Sequence, residues 1–164
     1  MPAHAALFEH LSATVQWDER LRARKTASFG VSYDYSGMTY PQTEMPEPLR
    51  LIAQQLKQVL GFEPNNCLLN YYPDGEASMG FHSDSSEELA EGTGVAIVSL
   101  GSPRELVFRL KADRSHQTGY VLEPGSLVYM TKELQSEWLH AIPKAPEAGP
   151  RISLTFRHLI KAAL

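Results

Sequence analysis

A chain of 164 residues, 43% of them apolar, can bury one hydrophobic core and is short for two. Its 15 basic and 19 acidic residues leave a net charge of -4, which argues against holding nucleic acid through bulk charge, although local cationic clusters can still meet phosphates. No apolar run reaches bilayer-spanning length, Met1-Pro2-Ala3-His4 lacks the pattern of a secretory signal, and the single cysteine, Cys67, has no internal disulfide partner, so a cytoplasmic protein with one domain over 1–164 is expected, taken to be a monomer.

In chain order, residues 5–13 read as a short helix with Leu7, Phe8 and Leu11 on one side and Trp17 near its end. Residues 20–45 lack a helical period and carry Phe29, Tyr33, Tyr35 and Tyr40 among turn residues, the composition of an aromatic lid able to stack on a planar substrate. The spacing of Leu49, Ile52, Leu56, Val59 and Leu60 predicts a helix over Pro46–Leu60, with prolines in its first turn and Gly61 as its stop. From Asn66 onward the pattern changes to short strands near 67–72, 79–83, 94–100, 105–111, 119–123, 126–130, 136–140 and 151–157, punctuated by Pro73-Asp74-Gly75, Gly101-Ser102-Pro103 and Glu123-Pro124-Gly125. Strands in this number after one or two helices imply a mainly β fold with flanking helices, a double-stranded β-helix or jelly roll. Cys67, beside Leu68 and Leu69, reads as a small buried apolar residue. Two cationic clusters, Arg20, Arg22, Arg24 and Lys25, then Arg104, Arg109, Lys111 and Arg114, are either solvated faces or phosphate contacts.

Two patterns carry chemistry. In His82-Ser83-Asp84 an imidazole and a carboxylate stand two apart, on one face of an extended segment, and His140 offers a third donor 56 residues beyond Asp84. Two histidines and a carboxylate leave half of an octahedral sphere open, which suits a non-haem iron(II) centre; a hydrogen-bonded surface pair is the plain alternative for His82 and Asp84 alone. Near the C-terminus, Arg151-Ile-Ser-Leu-Thr-Phe-Arg157 alternates, so Arg151, Ser153, Thr155 and Arg157 share a face. Guanidinium forks pair bidentately with carboxylates, which makes this face a receptor for a dicarboxylic acid, or else an amphipathic edge strand with its arginines in water.

Taken together, Asn70-x-Tyr72-x-x-Gly75, His82-x-Asp84, Ser99-Leu100-Gly101, Gly125-Ser126-Leu127, His140 and Arg151-x5-Arg157 resemble the AlkB-type iron(II) and 2-oxoglutarate dependent dioxygenases, from about Phe8 to Arg157. The resemblance implies iron(II) held by His82, Asp84 and His140, with 2-oxoglutarate as co-substrate beside dioxygen. Arg151 would meet the distal carboxylate of the keto acid, Asn70 and Tyr72 would add hydrogen bonds, and Arg157 would lie near the keto acid or steady the neighbouring carboxylate. Ser153 stands where relatives often have a small polar residue such as asparagine. Tyr35, in Tyr-x-Tyr-Ser-Gly, matches an aromatic that lines the substrate pocket; Tyr33 is a second candidate contact, and Trp138, on the strand face of His140, either walls the pocket or belongs to the core.

The activity so implied is oxidation of 2-oxoglutarate to succinate and carbon dioxide coupled to hydroxylation of an N-methyl group, whose hemiaminal product sheds formaldehyde. The expected partner is alkylated nucleic acid, DNA or RNA, with single strands sparing the cost of base flipping. Ser85 and Ser86 stand where repair members tend to carry a further acidic residue, which keeps open a 2-oxoglutarate-dependent hydroxylase of a small molecule or protein side chain. A non-catalytic nucleic-acid-binding module is a third reading, opposed by the full set of metal donors.

Overall fold

The computed structural model describes residues 3–160. Helix α1 (His4–Thr14) buries Leu7 and Leu11. Strand β1 (Lys25–Gly30) follows, then a small hairpin of β2 (Tyr33–Tyr35) and β3 (Met38–Tyr40). Its two-residue turn, Ser36-Gly37, has positive φ at both positions, the mirror-image turn whose twist suits a tight hairpin. Helix α2 (Glu47–Leu60) buries Leu49, Ile52, Ala53 and Leu56 along one stripe, and Gly61 closes it in the left-handed conformation, donating its N–H to the Lys57 carbonyl.

The remaining strands are β4 (Asn66–Tyr72), β5 (Met79–His82), β6 (Val95–Gly101), β7 (Arg104–Leu110), β8 (Gln117–Leu122), β9 (Leu127–Met130), β10 (Trp138–Ile142) and β11 (Arg151–Arg157), with a one-and-a-half-turn helix α3 (Lys132–Glu137) before β10. They form an antiparallel five-stranded sheet, β1-β4-β11-β6-β9, and a four-stranded sheet, β5-β10-β7-β8. Alternation sends Cys67, Leu69, Ala96, Val98, Leu100, Ile152, Leu154 and Phe156 to the outer face of the larger sheet, where they pack against α1 and α2. The opposite face points between the sheets, and there the core is mixed: Tyr72, Leu106, Phe108, Leu122 and Ile142 share it with the polar side chains of β4 and β11. No helix among the described residues is long and apolar enough to cross a membrane.

Each of the eight expected strands exists, and two assignments change. Residues 136 and 137 belong to α3, whose cap is the Thr131 hydroxyl accepting from the Leu134 N–H, so the strand carrying His140 starts at Trp138 and continues to Ile142. Part of the expected lid over 20–45 is framework, since β1 pairs with β4 along its whole length (Thr26 opposite Asn70) with Thr26, Ala27 and Ser28 buried. Only the β2–β3 hairpin stands apart from the two sheets. Nor is β11 an edge strand: it lies between β4 and β6, and all seven of its residues are buried.

Arg104 corrects the second cationic cluster, because it is a buried framework residue and no phosphate contact. Its guanidinium donates to the carbonyls of Ala77 (2.8 Å), Pro143 (2.7 Å) and Asp74 (3.4 Å) and lies over the Tyr72 ring. It thereby ties the loop after β4 and the loop after β10 to the sheet. Gly75 belongs to the same junction, where a Cβ would collide with the Ala145 carbonyl oxygen. Burial pushes the Arg104 pKa below the usual arginine range, yet the three acceptors hold the cation in place. Arg104→Met should cost about 3 kcal/mol by stranding those carbonyls, lowering the melting temperature by roughly 6–12 °C in a chain of this size. A thermal melt followed by circular dichroism checks it, and a shift of less than a degree or two would refute the assignment.

Candidate active site

The register of β5 and β10 places His82 directly opposite His140, with ring centroids 4.3 Å apart. Asp84 lies just past the end of β5, where the chain turns inward. Its Oδ1 is 3.5 Å from His82 Nε2 and its Oδ2 is 3.6 Å from His140 Nε2, and one donor atom from each of the three residues falls within 4.8 Å of the others. The surface-pair alternative therefore does not hold.

The ionisation of Asp84 and the neutral His140 suit a divalent cation, whereas His82 holds its second proton more firmly than a free imidazole. Burial disfavours the Asp84 carboxylate, but Arg157, whose guanidinium nitrogen is 3.4 Å from Oδ1, and the two imidazoles outweigh it and hold the carboxyl well below the usual range. Burial lowers the pKa of His140 to about 4, so its imidazole is neutral at physiological pH. For His82 burial pulls the pKa down, while Asp84 and the Gly80 carbonyl pull harder in the opposite direction, and the net shift is upward. A proton on His82 Nδ1 is taken by the Gly80 oxygen at 2.8 Å, which turns Nε2 toward Asp84 and leaves it as the ligating atom.

The sequence offered no signal for Gln135. This buried residue of α3 grips Asp84 twice, accepting from its backbone N–H (2.9 Å) and donating to Oδ2 (3.2 Å). Asp84 sits beyond its strand, so strand geometry alone does not aim it; the Gln135 amide does. Gln135→Leu should leave the fold intact and weaken divalent-metal affinity by about 10–100-fold, the usual cost of losing a partner that orients a metal ligand. Titration of manganese(II) into the metal-free variant reads this directly, and an unchanged dissociation constant would count against it.

Between the sheets, the same cavity is lined by Asn70, Tyr72, Arg151, Ser153 and Arg157 with the three metal donors, and by Leu68, Ile97, Leu106, Leu122 and Ile142 as its apolar wall. Strand pairing explains the polar floor, since Arg151 lies opposite Tyr72, and Ser153 opposite both Asn70 and Ser99, so their inward side chains are neighbours. Arg151 is almost fully buried and lies over the Tyr72 ring, which is gripped between it and Arg104. One guanidinium nitrogen of Arg151 donates to Ser99 Oγ at 3.0 Å, whereas Nε and the other terminal nitrogen have no protein partner. Buried donors of a cation are seldom left unpaired, and an unpaired planar fork at the end of a cavity is matched by a carboxylate. Arg157 faces Asp84 Oδ1 at 3.4 Å through one terminal nitrogen, while its Nε and other terminal nitrogen also lack a protein partner.

Toward the open side, Tyr35 lines the cavity, and Tyr33 stacks on Tyr35 at 6.3 Å between ring centroids while covering the Arg157 guanidinium. Trp138 is not among the lining residues; it stands edge-on to His116 and packs against the inner core. Of the first cationic cluster, Arg20 pairs with Asp18, Lys25 pairs with Glu19, and Arg24 turns into the site, which leaves Arg22 exposed. In the second cluster Arg109 lies over Phe81, while Lys111 and Arg114 are exposed.

A double-stranded β-helix with two histidines and one carboxylate at its mouth, and a partly unpaired buried arginine behind them, fits the class of mononuclear metal proteins that take a carboxylate ligand. Residues 5–157 match the 2OG-Fe(II) oxygenase superfamily, and the chain belongs to that family. Among curated proteins it is 33% identical over 148 residues to the DNA oxidative demethylase ALKBH2 of Bos taurus, covering 84% of this chain and 53% of that protein. It is 28% identical over 171 residues to the alpha-ketoglutarate-dependent dioxygenase alkB homolog 3 of Homo sapiens, covering 92% of this chain and 60% of that protein. The chain thus spans little more than half the length of these relatives. The solved structure of OsALKBH1 shares the fold, with a TM-score of 0.62 at 18% identity over 83% of this chain and 78% of that one.

Proposed function

We propose that this protein is an iron(II) and 2-oxoglutarate dependent dioxygenase that removes alkyl groups from the ring nitrogens of nucleobases in DNA or RNA. The observation that carries the reading is one cavity holding both the His82, Asp84 and His140 donor set and the two unpaired guanidinium nitrogens of Arg151. Iron(II), when bound, supplies the activation of dioxygen that couples decarboxylation of the keto acid to oxidation of a C–H bond.

The side chains do the rest. His82, Asp84 and His140 would hold the metal, and Gln135 and Arg157 keep the Asp84 carboxylate aimed. Arg151 neutralises the distal carboxylate of 2-oxoglutarate, with Ser99, Ser153, Asn70 and Tyr72 as its polar surroundings. Leu68, Ile97, Leu106, Leu122 and Ile142 keep water from the reacting centre. The face of Tyr35 receives the base; a methylated ring nitrogen of adenine or cytosine carries positive charge, which a tyrosine ring attracts beyond ordinary stacking. Hydroxylation of the methyl group yields a hemiaminal, which expels formaldehyde and returns the unmodified base. The naming of ALKBH2 as a DNA oxidative demethylase supports this substrate class over a small molecule or protein side chain.

The test is incubation with oligonucleotides carrying N-methylated adenine or cytosine, in the presence of iron(II) and 2-oxoglutarate. Mass spectrometry should show loss of one methylene per turnover, with an equivalent of formaldehyde and of succinate. Absence of demethylation across single- and double-stranded DNA and RNA, from a protein that still turns over 2-oxoglutarate, would reject the nucleic-acid substrate.

A further inference from the structure

Arg24 reads in the sequence as one cation of a surface cluster, but its guanidinium is committed to three different parts of the fold. Nε donates to Asn70 Oδ1 at 2.8 Å, one terminal nitrogen donates to the Ser78 carbonyl at 3.2 Å, and the other donates to the Tyr35 hydroxyl. The guanidinium carbon also lies 5.6 Å from the Tyr35 ring centroid. Asn70 belongs to the floor of the co-substrate pocket, Ser78 immediately precedes the strand that carries His82, and Tyr35 belongs to the β2–β3 hairpin over the cavity mouth.

The hairpin needs such a link. It forms a two-stranded sheet of its own, and the Gly30–Thr43 bridge at its base belongs to neither of its strands. Its position over the cavity is therefore set by side chains: Tyr40 anchors β3 through its hydroxyl to Thr26 and Asp18, while β2 is held by Arg157 against Tyr33 and by Arg24 against Tyr35. At the other end, an Asn70 whose carbonyl oxygen accepts from Arg24 keeps both amide N–H groups for the cavity. These are the donors that a bound keto acid, rich in acceptor oxygens, would use.

We propose that Arg24 is a positioning residue that couples the two halves of the site: it orients the Asn70 amide for 2-oxoglutarate and latches the Tyr35 hairpin, so that binding of the keto acid tightens the substrate-facing hairpin. The proposal rests on the reading of the cavity as a 2-oxoglutarate site. The forked geometry is essential, because three partners in three directions need a planar guanidinium, which a lysine ammonium of equal charge does not reproduce. A phosphate-binding cation, by contrast, would tolerate lysine and would reveal itself in the salt dependence of nucleic-acid affinity.

The experiment uses the full chain loaded with manganese(II), with and without 2-oxoglutarate. It reads hydrogen exchange of the amides of residues 33–40 alongside calorimetric binding of the keto acid. In the parent protein 2-oxoglutarate should slow hairpin exchange about fivefold or more, the lower end of ordinary coupling between sites. Arg24→Gln and Arg24→Lys should each bind the keto acid about tenfold more weakly, the cost of about one charge-assisted hydrogen bond, and at saturation should leave hairpin exchange unchanged. Tyr35→Phe, which removes only the hydroxyl, should uncouple the hairpin while retaining keto acid affinity, and it covers the case in which Arg24 variants misfold. Full coupling in Arg24→Lys would overturn the proposal in favour of a simple charge effect, as would a parent hairpin indifferent to bound 2-oxoglutarate. Failure of the metal-loaded parent to bind 2-oxoglutarate at all would instead strike the functional reading beneath it.

Discussion

Asp84→Asn is expected to abolish turnover and to weaken divalent-metal binding by more than about 100-fold, beyond the loss from removing an outer partner such as Gln135. The substitution preserves volume and the backbone N–H bond to Gln135, so the geometry of the turn survives. It removes the negative charge, which a dication needs and which Arg157 faces at 3.4 Å. A lower melting temperature should accompany it, because a buried guanidinium is left beside two imidazoles without its carboxylate. Manganese titration with a circular dichroism melt separates the two effects, and retained metal affinity in a folded variant would mean that the donors at this mouth serve some other purpose.

The second large effect sets two arginines that lie against one tyrosine against each other. Arg151 and Arg104 are both buried to within 2% of full coverage, and both lie over the ring of Tyr72. Arg104 satisfies both terminal nitrogens with three backbone carbonyls and leaves only Nε idle, whereas Arg151 has one hydroxyl and two idle nitrogens. Arg151→Met should therefore leave the melting temperature of the ligand-free protein unchanged or raise it, because an incompletely paired buried cation is traded for an apolar side chain. Affinity for 2-oxoglutarate should fall on the order of 10²–10³-fold, since the partner of a buried carboxylate has been removed. Calorimetry of keto acid binding to the metal-loaded variant, run beside its melt, gives both signs at once. A marked loss of stability with unaltered keto acid affinity would reassign Arg151 to the framework.

The local patterns that proved readable are those in which spacing alone aims a side chain. Alternation in 151–157 sorts Arg151, Ser153, Thr155 and Arg157 to one face whatever lies beside the strand, and the 3.6-residue stripe of α2 is likewise complete in itself. The metal donors were legible by residue type, although the reason given for Asp84 was incomplete: it lies beyond β5 and owes its aim to Gln135, 51 residues away. Strand β1 was hidden because its partner, β4, lies some 40 residues on and supplies the ladder that its own composition does not advertise. The short helix α3 holds too few residues to show a period.

By itself, the amino-acid sequence determined the eight strands that follow residue 66, the amphipathic faces and the kinds of side chain available at the mouth of the roll, since these follow from backbone periodicity and local turn chemistry. Only the tertiary structure decided what each cation does. Arg24, Arg104, Arg151 and Arg157 look alike along the chain, and whether one bridges a hairpin to a strand, ties two loops together, keeps idle donors in a cavity or faces a carboxylate depends on which acceptors the folded sheets bring within 3–4 Å of it. A guanidinium takes its role from the partners that close around it, and those partners come from distant segments.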